Sequence, residues 1–277
     1  MCLLVIAWQA HARYRLVVAA NRDEYHDRPS APLGWWSGGA TDVLGGRDLR
    51  AGGTWLALDA ARRFGVVTNF RDLQPPLPDA PSRGRLIPDY LSQHSTARRF
   101  MEGLAAEAGR YSGFNLLLTD HDELWYASNR TRPVARVLPP GIHGLSNHLL
   151  DTPWPKLVRM RAAFGAWIAT AAVAAGAGSA GAGAGAAEAA GAGAGADAGR
   201  LMTMLADRAP TQEGEGLERA LSAPFVLHPL FGTRCSSVVL LEPGGALTVR
   251  ERRFDADGAP SGETEITLEA GAGHFSR

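Results

Sequence analysis

The chain has 277 residues, 45% of them hydrophobic and 20% charged, with 28 basic residues balancing 28 acidic ones. That is the composition of a globular protein with a sizeable core, and zero net charge removes the electrostatic basis for general nucleic-acid binding. Two cysteines, Cys2 and Cys235, are too few for a disulfide framework or a multi-cysteine zinc site.

The elements read in chain order as follows. Cys2 to Trp8 and Tyr14 to Ala20 are apolar runs joined by a polar turn, and both predict strands. Residues 29–53 read as a long glycine-rich loop carrying Trp35, Trp36 and three Gly-Gly pairs, a length that often marks function. Strands follow at 54–58 and 64–68. Two helices come next, one capped by Ser82 and running to Leu91, the other a periodic stripe over 97–108. Strands return at 114–119, 124–127 and 142–145. A helix is predicted over 154–169, with Pro155 at its first position.

Residues 171–199 hold 25 Ala or Gly among 29 positions, nine of them glycine. Each glycine costs a helix about 1 kcal/mol relative to alanine, so the tract reads as a flexible surface insertion. The uncharged stretch 162–187 has little of the Leu, Ile and Phe that favour insertion into a bilayer, so no membrane insertion is expected. A short helix at 200–207 precedes a hairpin of 234–241 with 246–253, and 264–268 is the last strand. Strands, helices, strands, helices and strands in this order indicate an α+β fold with mainly antiparallel sheet. The start of the chain lacks a basic n-region and a small-residue cleavage site, and the protein reads as cytoplasmic. Lys156 is the only lysine, and every other basic residue is arginine, which fits a codon-composition bias.

Cys2 carries the clearest chemistry. With Met1 removed, it would present a thiol beside a free α-amine, and such an amine is a base poised near neutrality. The alternative is a small apolar residue opening a buried strand. Pairing of the first two strands would bring Cys2 close to residues 19–21 and so to Asn21-Arg22-Asp23-Glu24. There Asp23 could hold the α-ammonium, while Arg22 could stabilise a thiolate or bind an anionic substrate group. Asn69 and Asn147 both end apolar strands, where an amide can serve as an oxyanion donor or simply as a turn residue. Arg234 opens a late strand, and Cys235 beside it reads as core.

These residues stand within a longer series: Met1-Cys2, Asn21-Arg22-Asp23-Glu24, Trp36-Ser37-Gly38-Gly39, Gly45-Gly46-Arg47-Asp48, Gly52-Gly53-Thr54-Trp55-Leu56 and Thr68-Asn69-Phe70-Arg71, then Ser82-Arg83-Gly84, Gly113-Phe114-Asn115, Ser146-Asn147, Trp154-Pro155-Lys156 and Phe231-Gly232-Thr233-Arg234. The chain resembles the NRDE, or transport-and-Golgi-organisation, family, and through it the N-terminal nucleophile hydrolases. The resemblance implies a single domain over 1–277 with a four-layer αββα sandwich. Choloylglycine hydrolases and penicillin V acylases are similar in pattern. They imply roles for Cys2, Asp23, Asn69, Asn147 and Arg234, but carry an arginine about three residues before the aspartate, where this chain has Ala20.

The expected function is hydrolysis of a C–N amide bond in a small molecule by Cys2, with Arg22 tuning charge and no cofactor required. The second reading is a carrier of haem or another hydrophobic ligand in the same cleft, lined by Trp35, Trp36 and Trp55. The family resemblance implies a link to haem trafficking.

Overall fold

A computed structural model describes residues 2–36, 42–72, 77–93, 95–177, 186–213 and 215–270. In chain order the strands and helices begin with β1 (Leu3–Trp8), β2 (Leu16–Tyr25), β3 (Ser30–Trp35), β4 (Val43–Asp48), β5 (Leu56–Asp59) and β6 (Phe64–Asn69). Helices α1 (Leu86–Ser92) and α2 (Ala97–Glu107) precede β7 (Phe114–Thr119), β8 (Leu124–Ser128), β9 (Ala135–Leu138) and β10 (Gly141–Leu145). Then come α3 (Pro155–Ala177), α4 (Ala186–Leu205), α5 (Gly216–Leu221), β11 (Phe231–Leu241), β12 (Leu247–Phe254) and β13 (Pro260–Leu268).

The strands form two antiparallel sheets. One has six strands in the order β10-β1-β2-β11-β12-β13, and the other has seven, running β3-β4-β5-β6-β7-β8-β9. Strand periodicity assigns the faces. Leu4, Ile6 and Trp8 of β1 pack between the sheets with Leu56, Phe64, Leu117 and Tyr126 of the other sheet. Leu3, Val5 and Ala7 turn the opposite way, against Leu157, Phe164, Ala198 and Leu201 of α3 and α4. On the far side, Leu116, Leu118 and Trp125 of the second sheet pack on Ile87, Tyr90 and Met101 of α1 and α2. Three cores between four layers make this an α+β, αββα sandwich. They also explain why β1 is apolar at every position, because both of its faces are buried.

Three expectations change. The segment expected as one long loop contains β3 and β4. Its glycines serve packing there: a Cβ on Gly45 would lie 2.6 Å from the Leu56 carbonyl oxygen, and one on Gly46 would lie 2.3 Å from the Trp55 ring. β2 runs on through the charged cluster to Tyr25, because β11 continues to pair with it beyond the end of β1.

The third change concerns the Ala/Gly tract. Its described ends, 171–177 and 186–199, are helical rather than a flexible excursion, while residues 178–185 lie outside the described residues. Alanine favours helix, and tertiary contact supplies the rest. Ala194 and Ala198 are buried against the first sheet, and Asp197 accepts a hydrogen bond from the Tyr14 hydroxyl at 2.8 Å. Among the described residues, no helix is long and apolar enough to cross a membrane.

Candidate active site

The pairing of β1 with β2 ends at Leu3 opposite Asn21, which carries Cys2 just past the ladder, alongside Arg22. The register is set about one residue further along than the sequence suggests. Beyond that point β2 is paired only on its β11 side, with Asp23 opposite Thr233 and Glu24 opposite Gly232. The open side faces a cavity of about 370 Å³ whose lining includes Cys2, Arg22, Asp23, Thr54, Trp55, Thr68, Asn69 and Arg83.

Asn147 closes the site from the end of β10. It adopts a left-handed backbone (φ +57°), a conformation that asparagine tolerates better than most residues. Its side-chain Oδ1 accepts the Cys2 backbone N–H, and its Nδ2 donates to the Asn69 carbonyl at 2.9 Å. The Arg71 N–H donates to the Asn147 carbonyl at 2.7 Å. One residue thereby ties the Cys2 nitrogen to the end of β6.

Asp23 is 4% exposed, and its Oδ1 accepts the Thr233 hydroxyl at 2.7 Å. Burial raises its pKa above the ordinary carboxyl range, opposed by the charges of Lys156 and Arg22 and by the Thr233 hydrogen bond. Burial also raises the Cys2 thiol. The Asp23 backbone N–H and the Arg22 guanidinium work the other way, favouring the thiolate.

The Asn21–Glu24 cluster divides by role. The Asn21 amide donates to the Leu205 and Pro224 carbonyls, both at 2.9 Å, and accepts from the Ser236 hydroxyl at 2.6 Å, so it anchors β2. Arg22 is 7% exposed and stacks 4.3 Å from the centre of the Trp55 ring. It lies 3.7 Å from Asp48 and 3.9 Å from Glu24, and its Nη1 is buried without a hydrogen-bond partner.

Cys2, Arg22, Asp23 and Asn69 therefore line one cavity, with Asn147 bonded to two of them. Arg234 is not among the lining residues. It is the extra residue of a bulge between Thr233 and Cys235, and its Nη1 donates to His26 Nδ1 at 3.1 Å. Of the three tryptophans expected in the cleft, only Trp55 lines it. Trp35 is on β3 and is 42% exposed, and the Trp36 indole N–H donates to the Gly45 carbonyl at 3.0 Å.

The family model for Transport and Golgi organisation 2 matches residues 1–256. The chain belongs to the Transport and Golgi organisation 2 family. It is 34% identical over 273 residues to the human homologue of that name, covering 93% of this chain and 94% of that one. With the Mus musculus homologue it shares 32% over 273 residues, with the same coverage of both chains. The Drosophila melanogaster protein is 29% identical over 187 residues, 60% of this chain and 64% of its own length.

Solved structures similar to the chain include penicillin V acylase from Agrobacterium tumefaciens, at 12% identity and a TM-score of 0.44 over 99% of this chain and 94% of that one. A C2A mutant of conjugated bile acid hydrolase from Clostridium perfringens aligns at 8% identity and a TM-score of 0.45 over the whole of both chains.

Two residues that bear on this site were not singled out as site residues from the sequence. Arg83 lines the cavity and donates to the Gly113 carbonyl at 2.9 Å. Lys156, in the first turn of α3, is 3% exposed and interacts electrostatically with both Asp23 and Cys2. Its signals in the sequence were its being the only lysine and its place in Trp154-Pro155-Lys156.

The raised pKa of Asp23 has a consequence for stability. A carboxyl that holds its proton more tightly when folded contributes stability below its unfolded pKa, and that contribution is lost as pH rises through the folded pKa. Relative to Asp23→Asn, the wild type is therefore expected to lose stability as pH rises through the folded Asp23 pKa. Unfolding free energies of the two proteins measured by urea titration across pH test it, and a wild type that gains on the variant as pH rises would contradict it.

Proposed function

We propose that the protein is an N-terminal cysteine nucleophile hydrolase, acting on a C–N amide bond of a small molecule after Met1 is removed. The observation that carries this reading is the bond from the Cys2 nitrogen to Asn147 Oδ1, at the rim of a cavity lined by Cys2 itself. The nitrogen that would become the free amine is already held beside its own thiol. A half-buried thiol with a raised pKa needs such a base.

In the proposed reaction, Cys2 Sγ attacks the carbonyl carbon and its proton passes to the α-amine. The Asn69 side-chain amide donates to the developing oxyanion. Collapse breaks the C–N bond, and the amine's proton goes to the leaving nitrogen. Water then hydrolyses the thioester and releases the acid and free Cys2. Asp23 orients the amine, Asn147 holds its nitrogen, and Arg22 supplies charge at the cavity wall. A cavity of about 370 Å³ suits a small molecule. Arg234 is assigned an indirect part, bracing β11 through His26.

Incubation with a panel of N-acyl amides and lactams tests the reading. It predicts amine release with a transient acyl adduct on Cys2, found by peptide mass spectrometry. Release without any Cys2 adduct, or adducts confined to Cys235, would overturn it.

A further inference from the structure

Lysine and arginine differ in one respect that matters in a buried site. An ammonium is compact and shifts its pKa readily, whereas a guanidinium stays charged and is larger. This chain uses arginine at every basic position but one. The exception, Lys156, is also almost completely buried, at 3% exposure, in the first turn of α3. The one lysine of the chain therefore stands at a buried position.

The surroundings give that choice a purpose. Lys156 and Asn147 line the same second cavity, of about 310 Å³, and the Asn147 side chain accepts the Cys2 backbone N–H. The charges that act on Lys156 are those of Asp23 and Cys2, the carboxyl and thiol of the proposed reaction. The aspartate is buried and the thiol half-buried, and desolvation opposes ionisation of each. A nearby cation offsets that opposition for both groups.

We propose that Lys156 is a positioning residue, the buried cation that holds Asp23 as a carboxylate and favours the Cys2 thiolate. The proposal rests on the nucleophile reading of Cys2. Lys156 does not touch substrate in it, and acts through the two groups that do. The other groups of the described residues acting on Cys2 are Asp23 and Arg22 from β2; Arg83, before α1, and Cys235 from β11 feel its charge. Among them Lys156 is the one cation approaching from the helical layer.

The rate of Cys2 alkylation by iodoacetamide, followed across pH by peptide mass spectrometry, tests this. Lys156→Met should move the rising limb to higher pH by about one unit, making alkylation about ten-fold slower at a fixed pH on that limb. Lys156→Arg, which keeps the charge, should shift it less than half as far. Superimposed profiles for Lys156→Met and the wild type, or equal shifts for Met and Arg, would overturn the proposal.

The single lysine also permits a test without substitution. Protein labelled with ¹⁵N at the lysine side chain carries one such nitrogen. Capping Cys2 with iodoacetamide should move its titration to lower pH, and an unchanged titration would overturn the proposal even if Lys156→Met fails to fold. Loss of amide cleavage with these lysine responses intact would sink the hydrolase reading and leave the charge pairing standing.

Discussion

Cys2→Ala is expected to abolish turnover of any amide substrate and all probe labelling at that position, with a rate loss on the order of 10³-fold or more. The effect should fall on chemistry and leave the fold alone. Cys2 lies just past the end of the β1 ladder, its side chain is at a cavity rim rather than in one of the three cores, and its backbone N–H bond to Asn147 is untouched by the substitution. The unfolding free energy from urea titration should stay within about 0.5 kcal/mol of the wild type. Cys235 cannot take over, because it is buried in β11 and its thiol is raised well above the ordinary range by burial and by Glu251. A Cys2→Ala protein that still turned over substrate would show that the cavity works without a thiol.

Asp59→Ala carries the largest expected effect on stability. Asp59 and Arg63 are 4% and 8% exposed, and they clamp the turn between β5 and β6. Asp59 accepts the Arg63 backbone N–H at 2.9 Å and its Nε–H at 2.7 Å. The far end of Arg63 donates to the Leu91 carbonyl at the end of α1, so the pair joins the second sheet to its helical layer. Removing the carboxylate leaves a buried guanidinium without its counter-charge, at a cost of about 3–5 kcal/mol. The melting temperature should fall by roughly 10 °C for a chain of this size. Asp59→Ala combined with Arg63→Met should recover part of the loss, because no charge is then stranded. A loss below about 1 kcal/mol for Asp59→Ala alone would show that the pair is solvated.

Much of this was legible in the sequence where hydrophobic runs speak for themselves. β1 and β2 stand out because their buried faces demand apolar residues, and their pairing placed Cys2 beside Asp23. Asn69 and Asn147 could be read as strand-end residues, although the link between them could not. Residues whose reason is tertiary stayed hidden. β3 and β4 look like loop because their glycines answer to neighbours such as Leu56 and Trp55, which no local pattern records. The Ala/Gly tract looks like coil because the sheet that buries Ala194 and Ala198 is far away in sequence. Arg234 matches the family pattern, yet a one-residue bulge turns it toward His26. Lys156 is separated by more than a hundred positions from the cysteine whose charge it shares.

The central claim is that Cys2 works as an N-terminal nucleophile, and the intact mass of the active protein tests it most directly. Met1 lies outside the described residues. The account predicts a mature chain lacking Met1 that takes up a single acyl group on Cys2 when given an amide probe. Fully active protein that retains Met1 would contradict it.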